Sequence, residues 1–286
     1  MTSKPPMHIA VDRLLSCRNG ELDLSGLGLT MLPPIPEGIT ELNCSKNQLT
    51  NIPRLPSTLE MLMCAQNQLT SLPALPPSLH FLACNYNHLT SLPSLPPSLH
   101  GLYCNGNQLT SLPELPPTFR ILRCGNNQLT SLPTLPRNMF SIRCSNNPLT
   151  TLPTLPLQME EFDCFDCQLT SLPTLPANLR MLNCLGNPME DLPALPLTLR
   201  ELKCELPMHE DPMYNDRPIM LKGLYPDWVG WIDHVLRQSM IEINQQSKER
   251  CVERCSLYKE EIMMTVWHPR RVNPLIEMGI DLESVM

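Results

Sequence analysis

Cysteine is the side chain in this sequence with the most chemistry on offer. Nine of its thirteen copies stand 20 residues apart, from Cys44 through Cys64, Cys84, Cys104, Cys124, Cys144, Cys164 and Cys184 to Cys204. Thiols can bridge, bind metal or attack an electrophile. A fixed 20-residue spacing places these nine in one line inside a shared core. Neighbours in such a line are about 4.8 Å apart, more than the roughly 3.8 Å between Cβ atoms that a disulfide needs. A straight line also cannot supply a tetrahedral metal shell. The nine therefore read as small buried apolar residues, and so many free thiols favour a reducing compartment. Cys164-x-x-Cys167 has the form of a redox or zinc half-site, but Cys164 belongs to the line and no second such pair exists. Cys251 and Cys255, four residues apart, read as helix core with Tyr258 and Ile262. His80 and His100 are one repeat apart, and two imidazoles without a neighbouring carboxylate or thiol make a poor metal site. No Ser-His-Asp set, glycine-rich phosphate loop or His-rich cluster appears. The sequence predicts no enzyme, no cofactor and no metal.

The element that must position these residues is a repeat. The register Leu-x-Cys-x-x-Asn-x-Leu-Thr-Ser-Leu-Pro-x-Leu-Pro recurs every 20 residues from about Glu21 to Lys203. In one unit, Leu42 and Cys44 alternate with polar residues, as in a short strand. Units that repeat one path stack their strands in parallel. Leu42, Cys44, Leu49, Ile52 and Leu55 then meet Leu62, Cys64, Leu69, Leu72 and Leu75, and no unit buries its apolar face alone. Asn47 recurs as Asn67, Asn87, Asn107, Asn127, Asn147 and Asn187. Its amide can donate to and accept from the backbone where the chain leaves the strand. Leu27 and Cys167 break the series, and a looser turn is expected at Cys167. The Leu-Pro-x-Leu-Pro side can be neither helix nor central strand, because proline lacks an N–H and fixes φ. It reads as extended, polyproline-like backbone. About ten rungs at this spacing would span roughly 45 Å.

These residues resemble the bacterial-type leucine-rich repeat, the LPX class best known from effectors that pathogens secrete into animal cells. The resemblance covers about Glu21 to Lys203. It implies an α/β solenoid with short parallel strands on a concave face, an extended convex side and helical caps at both ends. Residues 1–20 would hold the first cap, an amphipathic helix over Met7 to Arg18 with Ile9, Val11, Leu14 and Leu15 turned onto the first rung, and 21–204 the solenoid. Residues 205–286 would form a helical module, carrying Trp228, Trp231, Ile232, Val235 and Leu236 at helical spacing. Some secreted relatives append a ubiquitin-ligase domain with a catalytic cysteine; the segment after Cys204 reads as too short for it, and that activity is not carried over. Trp267-His268-Pro269-Arg270-Arg271-Val272 resembles a short motif at the end of many proteins of large nucleocytoplasmic DNA viruses.

A net charge of −7, with no Lys/Arg run beyond Arg270-Arg271, disfavours nucleic acid. No stretch of 18 apolar residues is present, so no membrane span is expected, and Met1 to Ala10 lacks a leader's apolar core. The cytoplasm of a host cell, or a virion, is the expected location. On the exposed strand face, Met61, Met63, Phe81, Tyr86 and Tyr103 sit beside Arg120, Arg123 and Arg143, followed by Glu161 and Asp163. Aromatic residues with arginine are the types most enriched at binding hot spots. The reading is a non-catalytic scaffold that grips a protein partner, with a minor component of a particle and an adaptor for host machinery as alternatives. Partner identity and oligomeric state are not legible.

Overall fold

The computed structural model describes residues 4–189 and 191–204, together with the backbone of 219–221. Met1–Pro218 and Ile219–Met286 form two compact units. In the first, helix α1 (Pro6–Ser16) precedes ten strands. These are β1 (Glu21–Asp23), β2 (Glu41–Asn43), β3 (Met61–Met63), β4 (Phe81–Ala83) and β5 (Gly101–Tyr103). They continue with β6 (Ile121–Arg123), β7 (Ser141–Arg143), β8 (Glu161–Asp163), β9 (Met181–Asn183) and β10 (Glu201–Cys204). In the second unit β11 (Ile219–Leu221) is the one described element. The expected helices around Trp228, Cys251 and Cys255, and the motif at Trp267, lie outside the described residues.

The strands β1 to β10 pair in parallel, in chain order, each residue facing its equivalent 20 positions on: Leu42 faces Leu62, which faces Leu82. The middle residue of each strand points inward and is fully buried, while most of its neighbours are half-buried. The pairing runs past the strands, because Cys64 donates its N–H to Ala83 O (2.8 Å) and Lys46 donates to Ala65 O (2.8 Å). All nine in-line cysteines are buried. A further core column was not singled out in the sequence. Leu59, Leu79, Leu99, Phe119, Met139, Met159 and Leu179 are each fully buried where the chain returns toward the next strand. Hydroxyls tie this side across rungs: Ser78 Oγ donates to Leu59 O (2.6 Å), and Thr118 Oγ1 reaches Leu99 O at 3.0 Å. The proline-bearing segments 51–56 and 71–76 are neither helix nor strand.

The asparagine ladder forms as its chemistry requires. Asn67 Oδ1 accepts from Leu49 N (3.0 Å), and its Nδ2 reaches Cys44 O (3.0 Å) and Cys64 O (3.1 Å). One amide thus joins its own turn to the rung before it. The residue preceding the ladder position is left-handed wherever it is described, at φ 58° for Lys46, 54° for Tyr86 and 65° for Gly106. Only glycine, and to a lesser extent asparagine and aspartate, adopts this region freely.

The turn at Cys167 is not looser than the others. Asp166 has φ 53°, beside 55° at Asn146, and its N–H still donates to Leu185 O at 2.8 Å. Backbone bonds between rungs hold the turn without the amide. The change falls one rung earlier. Leu149 N–H, which would have bonded an amide at position 167, turns back to Asn147 O at 2.8 Å. This closes a three-residue turn around Pro148, whose ring already holds φ near about −65°. Met189 N–H does the same to Asn187 O (2.8 Å) around Pro188, and position 207 of the sequence is likewise not Asn but Pro. Elsewhere the residue after the ladder Asn is not proline, and its N–H donates to the preceding rung, as Gln68 does to Leu49 O (2.9 Å). Proline therefore stands where the next amide is missing. Cys167→Asn alone should gain little stability, because Leu149 N–H already has an acceptor. Combined with Pro148→Gln it should gain about 1 kcal/mol beyond the sum of the single changes, measured as a urea double-mutant cycle.

Of the four residues expected to face inward on helix α1, Ile9 and Leu14 are half-buried and Val11 and Leu15 are not. Ala10 is buried, whereas Val11 and Leu15 are 36% and 73% exposed. Small Ala10 permits close approach, and Arg13 Nη1 donating to Asp23 O (2.7 Å) fixes the helix beside β1. Cys17 Sγ adds a bond to Glu21 O at 3.3 Å.

Candidate protein-interaction face

The residues flanking each buried strand centre form columns on the outer face of the sheet. One column runs Met61, Phe81, Gly101, Ile121, Ser141, Glu161. The other runs Met63, Ala83, Tyr103, Arg123, Arg143, Asp163. Sequence spacing alone brings these side chains within reach of one another.

At the centre, Phe81 and Tyr103 meet edge to face, with ring centres 5.0 Å apart and planes at 72°. Such a pair contributes about 0.5–1.5 kcal/mol beyond area burial. Arg123 Cζ lies 5.1 Å from the centre of the Tyr103 ring, a cation over an aromatic face. Phe81 lies where a side chain at 101 would be: a Cβ on Gly101 would come within 2.9 Å of its ring. Tyr86 lies over Gly106 in the same way, at 2.6 Å, and Gly106 is also left-handed. The rung of β5 thus carries two glycines that act as shelves for rings from the rung before. Tyr86 remains 58% exposed, and Arg120 is exposed at the edge. Met61, Met63, Phe81, Tyr103, Arg123 and Arg143 are half-buried.

The charged end is organised by β7 and β8. Arg143 Nη2 is 3.6 Å from Glu161 Oε2, which also accepts from Ser141 Oγ (3.0 Å). This exposed pair is worth at most about 1 kcal/mol. Asp163 Oδ1 accepts from Ser145 Oγ (2.8 Å) and Phe165 N (3.1 Å). The Nε atoms of Arg123 and Arg143 are buried without a partner. His80 and His100 stack at 5.4 Å along the edge. Of these residues the sequence did not single out Gly106. Writing the rungs one above another would have found the glycine beneath Tyr86.

The core line holds no poised nucleophile. Burial pushes the thiols of Cys44, Cys84 and Cys204 up to about 12, and those of Cys64 and Cys104 well above their ordinary range. Among the described residues no group of three His, Cys, Asp or Glu side chains could hold a metal ion. No helix among them is long and apolar enough to cross a membrane.

Twenty-residue rungs, one parallel strand per rung and an asparagine ladder interrupted at Cys167 define a leucine-rich-repeat solenoid, and the chain belongs to the leucine-rich-repeat family. Its repeats are of the kind found in bacterial effectors. YopM from Yersinia enterocolitica WA-314 is 36% identical with a TM-score of 0.60, over 70% of this chain and 50% of that one. YopM from Yersinia pestis, a leucine-rich effector protein, is 34% identical with a TM-score of 0.62, over 70% and 65%. A Shigella effector leucine-rich-repeat domain is 34% identical with a TM-score of 0.52, over 66% of this chain and 80% of that domain. The chain therefore spans 50% and 65% of the lengths of the two Yersinia proteins. No family model matches the sequence, and no curated protein does. The fold is that of a protein-interaction scaffold.

Proposed function

We propose that this protein is a non-catalytic scaffold that holds a protein partner of a host cell against the outer, concave face of its strands. The observation that carries this reading is the continuous run from Phe81 through Tyr103 to Arg123, with contacts of 5.0 and 5.1 Å. Aromatic rings pre-arranged on rigid strands present a large contact area at little entropic cost. Arg120 at the edge and the outward forks of Arg123 and Arg143 would orient an acidic group of the partner beside them. Helix α1 closes the first end of the solenoid in this reading.

The test is affinity capture from animal-cell lysate with the full chain and with Arg123→Glu/Arg143→Glu. The variant must keep the parent's unfolding free energy in urea to within about 1 kcal/mol, the most an exposed ion pair contributes. The expected result is a partner held at least about 100-fold more weakly by the variant, since each reversal replaces attraction by repulsion. Equal capture of every partner by both chains would remove the strand face from the account.

A further inference from the structure

We propose that Cys144 and Cys167 form a reversible oxidation site, a dithiol that a hydroperoxide converts to a disulfide joining two rungs. In-line thiols are kept apart by the strand spacing, but Cys167 is off the line. It stands in the ladder slot, where other rungs point an amide into the backbone 23 residues earlier. Its Sγ therefore points at the rung of Cys144, 3.6 Å from Cys144 O, with Phe165 O at 3.8 Å. Cys144 Sγ in turn lies 3.5 Å from Asp163 O, so each sulfur reaches toward the other's rung. The CxxC spacing in the sequence is thus misleading, because the partner of Cys167 is Cys144 and not Cys164.

The two sulfurs are not equivalent. Cys144 is fully buried, whereas Cys167 keeps 6% of its surface exposed next to exposed Phe165 and Asp166. The Cys144 thiol beside it holds the Cys167 thiol below its ordinary value, while Cys167 and burial hold Cys144 well above. Cys167 is therefore the attacking sulfur and Cys144 the resolving one. The Cys167 thiolate attacks one peroxide oxygen, the O–O bond breaks, and the departing hydroxide takes up a proton as water. The resulting sulfenic acid is then displaced by Cys144, which gives up its proton, and a second water leaves. Two thiols and one hydrogen peroxide become one disulfide and two waters. A dithiol reductant restores the starting state by exchange. The disulfide would remove the bond from Cys144 Sγ to Asp163 O (3.5 Å), directly beneath the charged end of the interaction face.

The experiment exposes the reduced full-length protein to equimolar hydrogen peroxide, removes the peroxide with catalase and alkylates all thiols in denaturant before peptide mass spectrometry. The expected result is a Cys144–Cys167 linked peptide that disappears after dithiothreitol, with the in-line thiols alkylated. Cys144→Ala should instead leave a dimedone-reactive Cys167, and Cys167→Ala should abolish both products. Partly exposed Cys17 serves as the internal gauge that peroxide has acted. Oxidation of Cys17 with Cys144 and Cys167 both fully alkylated would overturn the proposal. So would a linked peptide of Cys164 with Cys167. Both outcomes are read on the unmutated chain, independently of whether a variant folds.

Discussion

Raising the pH above about 9 in the presence of reductant is expected to unfold the solenoid abruptly. Nine in-line thiols are held protonated by burial, with Cys44, Cys84 and Cys204 pushed to about 12 and the other six also raised. In the unfolded chain a thiol ionises near about 8.5. Between the two values the unfolded chain binds fewer protons than the folded one, so unfolding free energy falls as pH rises. Below the unfolded value both states keep their protons and the thiols add no pH dependence. Each thiol contributes about 1.4 kcal/mol per pH unit once the unfolded form is fully ionised, and nine together roughly 12 kcal/mol per unit. A domain stable by about 5–15 kcal/mol loses that within one to two units. Circular dichroism from pH 8 to 11 should show a steep, reversible transition. Replacing Cys64, Cys84 and Cys104 with Ala should reduce its steepness by about a third. A fold intact at pH 11 would mean that the line of thiols is far better hydrated than its burial indicates.

The second large effect belongs to the ladder. Asn127 Oδ1 accepts from Leu109 N (3.1 Å), and its Nδ2 lies 3.0 Å from both Cys104 O and Cys124 O. Asn127→Ala leaves the buried Leu109 N–H without an acceptor, while Cys104 O and Cys124 O each lose one donor and keep another, Asn107 Nδ2 (3.0 Å) and Asn147 Nδ2 (3.0 Å). The orphaned N–H costs about 1–3 kcal/mol and each lost amide–carbonyl bond about 1 kcal/mol, so the substitution should cost about 3–5 kcal/mol in urea unfolding. Cys167→Ala, at the equivalent slot two rungs on, should cost under about 1 kcal/mol. The thiol bonds there are long, at 3.6 and 3.8 Å, and Leu149 N–H is satisfied by Asn147 O. Equal costs at the two positions would show that the ladder is a by-product of stacking and not a support for it.

The contrast between these two slots shows what a single sequence discloses about this fold. Leu42, Cys44 and Asn47 were legible because the same side-chain type returns in nearly every unit, and a repeated type admits one physical explanation. The left-handed position was not singled out, since Lys46, Gln66 and Tyr86 interrupt a column otherwise made of Gly, Asn and Asp. The buried column of Leu59, Leu79 and Phe119 was hidden among prolines and hydroxyls on the returning side. Burial there is set by the chain's path and not by a period of two. At α1 the inward face is centred on small Ala10 and keeps the expected Ile9 and Leu14 half-buried, while Val11 and Leu15 fall outside it. The turn at Cys167 failed as an expectation because the amide was credited with work that the backbone bonds between rungs perform. On the interaction face the residue types were visible along the chain. Their packing was not, because Phe81 over Gly101 and Tyr86 over Gly106 are contacts between residues 20 apart.

The central claim is that partners are held by the strand face and not by the proline-bearing side. It is tested most directly by placing a photo-crosslinking benzoylphenylalanine at position 103, or at exposed Thr134 on the opposite side, in the full chain and irradiating it in animal-cell lysate. The account predicts a discrete crosslinked partner from position 103 that is lost when Arg123→Glu is added, and none from position 134. The same partner crosslinked from 134 and not from 103 would contradict it.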